Sequence, residues 1–383
     1  MTKYDDETLE PIPPTLAPGE KELVLVPQDE CIVHTNDSRR RAWLKGDQQP
    51  LKKKGNGRGI HICGWICETT GHLKLSEDQV KAQALLPEDQ RLKVTDSTKI
   101  IYPGKNHDAW WDLPQLMDQM KHAIDIFEHL HPDKVAIWLF DCSSAHEALA
   151  KDALNVNNMG VRPGGKQSHL RNTIIPLSNP PPKPGRPDTR GQTQQMVYPP
   201  DHPDEKLRGL PKGMKVVLQE RESVWDQLMD GCKGKVPVGK CKDCTKSQAK
   251  KDAERRVAEA EAMGQEDTVA EEDIARSQEP EIIESKNDWC CMYRVLSLQE
   301  DFANEKSMLQ HYIEGRGHIC MFLPKFHCEL NPIEMVWGFM KYRKWIYLYI
   351  NPLPYLNTRR LSPCVGRQIH HGKAPCSRMP QYV

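Results

Sequence analysis

The chain has 383 residues, 38% hydrophobic and 28% charged, with 53 basic and 53 acidic side chains and a formal net charge of zero. That length holds one large domain or two modest ones, and the charge balance excludes a global field that draws the chain to nucleic acid, so any such binding must come from local patches. No run approaches the ~18 apolar residues of a membrane span, the start MTKYDDETLEPIPP holds no apolar signal region, and 13 cysteines, an odd number, fit reduced thiols or a metal site better than a disulfide scaffold.

Residues 1–20 read as an unstructured, acidic lead. Residues 21–33 read as a first strand: LVLV is continuous and apolar, as in a central strand covered on both faces, and it runs into the acidic pair Asp29 and Glu30. By itself Asp29 can be no more than a strand-end turn residue. Residues 34–59 are basic, with Arg39, Arg40, Arg41, Lys45, Lys52, Lys53, Lys54 and Arg58, and Gly55, Gly57 and Gly59 loosen the second half. Such a loop can hold a phosphate backbone, with Trp43 available for stacking. It can equally be a solvated basic hairpin or a nuclear localisation signal. GIHICGWICETTGHLKL, residues 59–75, predicts a hairpin that turns near Thr69 to Gly71. Cys63 and Cys67 belong in its core, and His61 and His72 read as strand-face residues.

Residues 112–131 predict an amphipathic helix, because Leu113, Leu116, Met117, Met120, Ile124, Phe127 and Leu130 recur at spacings of three and four, and Pro132 ends it. Residues 134–140 form a buried strand that ends at Asp141. Ser143 or Ser144 can cap a following helix near residues 146–154. His146 lies five residues after Asp141. The loop 155–167 carries Gly164, Gly165 and Lys166 but lacks P-loop spacing.

From about residue 170 to 310 the chain changes character. SNPPPKPGRPDTRG is proline-rich and extended, and KGMKVVLQERESVWDQL suggests a strand and then a helix. Cys241 and Cys244 make a Cys-x-x-Cys pair in a Lys- and Gly-rich loop, similar to half a zinc knuckle, and Cys232 with Cys290 or Cys291 can complete four ligands. Free thiols are the other reading. Residues 246–263 predict a charged helix. Residues 265–284, with Glu266, Asp267, Glu271, Glu272, Asp273, Glu279, Glu281 and Glu284, predict a disordered acidic linker. Residues 289–315 resume as helix, and residues 318–323 form a strand.

That strand leads into LPKFHCELNPIEMVW, residues 323–337. Asn331 reads as an N-cap, Pro332 as the first helical position, and Glu334 as the acidic half of a capping box. Ile333, Val336, Trp337 and Met340 make a buried stripe, and Gly338 leaves space beside Glu334. Two strand-end carboxylates and one at a helix start can converge on a pair of divalent cations.

Here the residues resemble a family, the mariner-type DDE transposases. CELNPIEMVW is similar to their third motif and DCSSAH to their second, and the likeness extends to transposase-like proteins of mushroom-forming fungi. It covers residues 27–343. It implies an α/β fold with an RNase H-like catalytic core, a mixed sheet with helices. It implies Asp29, Asp141 and Glu334 as a catalytic triad holding two Mg²⁺ or Mn²⁺ ions, DNA as partner, a nuclear location and a homo-oligomer. The chain departs from the family in four places. The spacing between Asp141 and Glu334 is long, which implies an inserted module. Cys142 stands where Asn commonly follows the second Asp. The first strand is expected close to the start of the sequence, where the family's N-terminal helix-turn-helix region is not expected. Beyond residue 343 the likeness stops. The expected organisation is a lead over 1–20, the first part of the core over 21–170, an inserted module over 171–310, the last strand and catalytic helix over 311–343, and a divergent tail over 344–383. The expected activity is metal-dependent cleavage and strand transfer at DNA phosphodiesters. An inactive relic that still binds nucleic acid and a protein-interaction module are the alternatives.

Overall fold

The computed structural model describes residues 1–8, 10–36, 55, 57–104, 108, 110–143, 146–232, 235–262, 270–277, 288–324 and 327–350. Its organising element is β1 (Glu22–His34), whose apolar first half supplies the centre of a mixed sheet. β2 (Gly59–Cys67) pairs antiparallel with β1 from His34↔Gly59 to Gln28↔Trp65. β3 (Lys99–Ile101) pairs antiparallel with β2, and a short strand at Gly71–His72 closes the hairpin on β2 as expected. On the other side, β4 (Lys134–Phe140) runs parallel to β1 from Glu22↔Lys134 to Pro27↔Leu139. β5 (Ile319–Phe322) runs parallel to β4 and forms the far edge. The order is therefore β5-β4-β1-β2-β3.

Strand alternation sends successive β1 side chains to opposite faces. Val24 and Val26 join Trp65, Trp138 and Phe140 under α1 (Leu113–Leu130), which contributes Leu116, Met120, Ile124 and Phe127. Asp112 caps this helix by accepting from the Gln115 N–H. The opposite face carries Cys31, Ile60 and Ile62, covered by Ile333 and Trp337. A second core, over 154–302, gathers Met196, Met214, Leu218, Leu228, Val295 and Phe302. Within it Arg221 is fully buried and forks onto Asp301 at 2.9 and 2.6 Å, while its Nε donates to Gln194 and its Nη1 also to Gln299.

The structure departs from the sequence reading at several elements. β1 runs past Asp29 to His34, so Asp29 is not at a strand end: it lies two residues past Pro27, where the pairing with β4 stops. The lead contains an antiparallel pair, Lys3–Tyr4 with Pro11–Ile12. No helix forms over 146–154. Those amides are drawn elsewhere, the Leu154 N–H to Glu305 and the Asp152 carbonyl to the Arg171 N–H. The KVVLQ segment is not a strand but part of α2 (Met214–Glu220), followed by α3 (Glu222–Gly231), because Met214, Val217 and Leu218 are pulled into the second core. The charged helix is α4 (Lys242–Ala262). Within the segment read as a disordered linker, Glu271–Ser277 is a helix docked on α4 through Arg256 and Asp273; residues 265–269 and 278–284 lie outside the described residues. The helix expected over 289–315 is split into α5 (Met292–Ser297), a four-residue helix at Glu300–Ala303, and α6 (Met308–Gly315). α7 (Ile333–Ile350) runs seven residues beyond 343. Among the described residues no helix is long and apolar enough to cross a membrane.

Candidate functional site

Three carboxylates from distant parts of the chain meet at the carboxyl end of the parallel strands. Asp29 comes from the middle of β1, Asp141 follows the last residue of β4, and Glu334 lies on the first turn of α7. One oxygen of each lies within 4.8 Å of the other two. The carboxyl ends of parallel strands are where α/β sheets place their ligand sites. β5 carries the chain there: the Leu323 N–H donates to the Phe140 carbonyl, and the turn that follows delivers α7 beside β1.

Neighbouring side chains fix each acid. The Trp337 indole N–H donates to Asp29 Oδ2 at 3.0 Å. The ring sits over β2 at Gly64, where a Cβ would lie 3.0 Å from Trp337 Cη2, so the glycine makes room for the donor. Asn331 is buried and does not serve as the side-chain cap its sequence position suggests. Its Nδ2 donates instead to Asp141 Oδ1 at 3.0 Å and to the Gln28 carbonyl at 2.9 Å, tying the α7 entrance to two strands. The stripe of α7 also differs from its expected form. Ile333 and Trp337 are buried, but Val336 turns outward with Met335 and Phe339.

All three acids hold their protons more tightly than free carboxyls. Burial, then the charges of Glu30 and Glu334, push Asp29 up to about 8. Burial also raises Asp141, and burial followed by the charge of Asp141 raises Glu334. Three oxygen-only donors, fixed by neighbours and mutually repelling, suit a hard divalent cation such as Mg²⁺ or Mn²⁺, whose charge offsets that repulsion.

Glu30 and His146 form a layer behind this group. Glu30 lies on the opposite face of β1 and accepts from the Trp111 indole at 3.0 Å and from Gln28 at 2.9 Å. His146 Nε2 lies 3.7 Å from Glu30, and its Nδ1 lies 2.6 Å from the Asp141 carbonyl. The imidazole thus ties Asp141 to the α1 side of the sheet. Burial alone would raise Glu30 and lower His146, but their pairing outweighs it, holding Glu30 down to about 2 and raising His146 above the usual imidazole range.

No protein-family model matches this chain, and no curated protein does. Two solved structures are similar over part of it. The crystal structure of the mariner Mos1 paired end complex with Mg is 13% identical, with a TM-score of 0.20, over 33% of this chain and 30% of that one. A pre-cleavage Mos1 transpososome is 12% identical, with a TM-score of 0.21, over 33% of this chain and 31% of that one. The chain spans less than a third of the length of these neighbours.

The other expected site residues divide. Cys241, Cys244, Cys290 and Cys291 bring their sulfurs within 4.8 Å of one another. Cys232 is not among them: as the C-cap of α3 it packs against the second core. Of the basic loop, Arg39, Arg40, Arg41, Lys52, Lys53 and Lys54 lie outside the described residues, as does Trp43, and Arg58 is exposed beside β2. Sequence reading missed Trp337 as a donor to Asp29, Asn331 as a donor to Asp141, and Gly64. The signals were present, an Asn and a Trp flanking Glu334 and a glycine inside a strand. Their partners are remote in the chain, 190 residues from Asn331 to Asp141 and 308 from Trp337 to Asp29.

Proposed function

We propose that this chain is a metal-dependent, DDE-type nuclease domain related to the mariner-type transposases, built on an RNase H-like core, and that it acts on DNA phosphodiester bonds. The observation that carries the proposal is the convergence of Asp29, Asp141 and Glu334 at the carboxyl edge of a mixed sheet. The resemblance of CELNPIEMVW and DCSSAH to the family's motifs supports it. So does the strand order, in which an antiparallel hairpin flanks one side of β1 and parallel strands flank the other.

In this reading Asp29, Asp141 and Glu334 would hold two divalent ions, which would supply charge stabilisation to the oxygens of the phosphodiester. The protein's part is positional. Asn331 keeps Asp141 aimed across β1, and Trp337 holds one oxygen of Asp29 so that the other is free to coordinate. Burial of Asp29 gives the site a low-dielectric floor, and the more open Glu334 leaves the solvent side for a phosphate to enter. Side-chain donors of this kind orient metal-binding carboxylates and strengthen binding.

Nicking of supercoiled plasmid in Mg²⁺ or Mn²⁺, compared between the wild-type chain and Glu334→Gln, tests the proposal. Glutamine keeps the size of Glu334 and removes its charge. The expected outcome is nicking by the wild type that falls at least roughly 100-fold in the variant, as for loss of a group that contributes several kcal/mol to the transition state. Wild-type protein that binds divalent ions but leaves plasmid intact would overturn the nuclease reading.

A further inference from the structure

We propose that Cys241, Cys244, Cys290 and Cys291 form a structural zinc site, a closed four-thiolate centre that fastens α4 to the second core. The sulfur geometry argues it first. Cys290 Sγ lies 3.7 Å from Cys241 Sγ, 3.7 Å from Cys244 Sγ and 3.7 Å from Cys291 Sγ, and Cys291 Sγ lies 3.8 Å from Cys244 Sγ. A zinc–sulfur bond of ~2.3 Å sets the edge of a regular tetrahedron at ~3.8 Å, matching these separations. A disulfide requires ~2.05 Å, so these spacings belong to a shared ion rather than to paired bridges.

Backbone around the cluster is built to the same end. The Cys244 N–H points at Cys241 Sγ, and the Arg294 N–H points at Cys291 Sγ, both at 3.5 Å. Each arrangement puts a sulfur at a helix start, Cys241 before α4 and Cys291 as the cap of α5, and at the longer α4 the exposed amides favour the Cys241 thiolate. The two halves are also held side by side without the ion: the Met292 N–H donates to the Val238 carbonyl and the Tyr293 N–H to the Gly239 carbonyl. Gly239 has no room for a side chain, because a Cβ there would fall 2.3 Å from Val161. Lys240, its ammonium 3.9 Å above the Tyr293 ring, places a cation next to the thiolates. Four thiolates around Zn²⁺ leave a net charge of minus two, which this lysine and the helix starts offset.

α4 shows why such a site is needed. It is 21 residues long, yet among its described residues only Ala253 is buried, so it offers almost no apolar surface to hold it in place. Zinc bound by residues on both sides of the acidic segment closes that loop and supplies the anchoring that packing does not. Each thiol loses its proton on binding, so the site weakens as pH falls.

The test uses the full chain, purified without chelator, with zinc measured per chain by elemental mass spectrometry and Co²⁺ as an optical probe. The expected result is one zinc per chain, a tetrahedral thiolate spectrum with Co²⁺, and loss of both in Cys244→Ser and in Cys290→Ser. Cys232→Ser and Glu334→Gln should keep the ion, which separates this centre from the carboxylate cluster. Should the serine variants lose the fold, chelation of the wild type gives a second measure: four additional thiols should become reactive as one zinc leaves. Zinc retained in Cys244→Ser, a wild type that takes up neither ion, or disulfides among the four cysteines under reducing purification would each overturn the proposal.

Discussion

Removing the charge of Asp29 should stabilise the metal-free protein while abolishing its proposed chemistry. An unfolded aspartate loses its proton near pH 4, whereas burial and the neighbouring carboxylates hold Asp29 up to about 8 in the fold. Between those values the folded state binds a proton that the unfolded state has released, so stability falls as pH rises through that window. Asp29→Asn escapes this and still offers an oxygen to the Trp337 indole. In metal-free buffer at pH 8 the variant should melt roughly 2–8 °C above the wild type, with the gap closing toward pH 4. Equal melting temperatures at pH 8 would show that the acidic cluster carries no electrostatic cost. Trp337→Phe examines the neighbouring contact. A phenyl ring keeps much of the packing against Cys31, Ile60 and Ile62 but cannot donate to Asp29. Mn²⁺ affinity measured by titration calorimetry should fall roughly 10–100-fold, with the far-ultraviolet dichroism unchanged.

At the scale of elements, the packing of α7 on β2 depends on one missing side chain. Gly64→Ala puts a methyl group 3.0 Å from Trp337 Cη2 and forces the ring outward. Overpacking of this kind costs roughly 1–3 kcal/mol, readable as a lower urea midpoint, and it should weaken Mn²⁺ binding as well because the indole N–H moves with the ring. Most of the sheet was legible from sequence, since residues 23–26 and 135–140 are continuous apolar runs and 59–67 carries hairpin signals, but the short β3 was not. α1 was legible to within one residue at each end, because its stripe, its Asp cap and Pro132 agree. What misled were segments governed by distant partners. KVVLQ has β-branched composition but coils because the second core takes Val217 and Leu218. The alanine-rich 146–154 segment stays irregular because Glu305 and Arg171 claim its polar groups. Asn331 was read as a local cap, and no local rule reveals a bond to Asp141. Asp141 lies in a motif and Asp29 was named as the acid that closes an apolar strand run, as the family likeness implies, but the side chains that aim them were not named.

Among the described residues the two faces of the sheet each carry an apolar cluster, one beneath α1 and one beneath α7, and the second core lies over 154–302. The second depends on a buried ion pair. Asp301 is the bidentate partner of Arg221, which is wholly inside. Asp301→Ala strands that guanidinium in an apolar interior and should cost roughly 3–5 kcal/mol. Denaturant unfolding followed by tryptophan emission would measure it, through Trp225 and Trp289 beside this core. A loss below about 1 kcal/mol would mean that water reaches Arg221, contrary to its burial. The segment between Asp141 and Glu334 thus carries a core of its own, while β5 and α7 return the chain to the sheet that holds the acids.

The pairing of β1 with β2 decides which of two adjacent acids enters the carboxylate cluster. Asp29 sits opposite Gly64 and faces Trp337; Glu30 sits opposite Cys63 and faces Trp111 and His146. Side chains alternate with a period of two, so slipping β1 by a single residue would exchange the faces they point to. The longer Glu30 would then crowd the indole, and Asp29 would fall short of the imidazole. The two acids are separated by odd and even count along one strand, so an insertion or deletion of one residue between Pro27 and Asp29 would silence the cluster without changing any of its members.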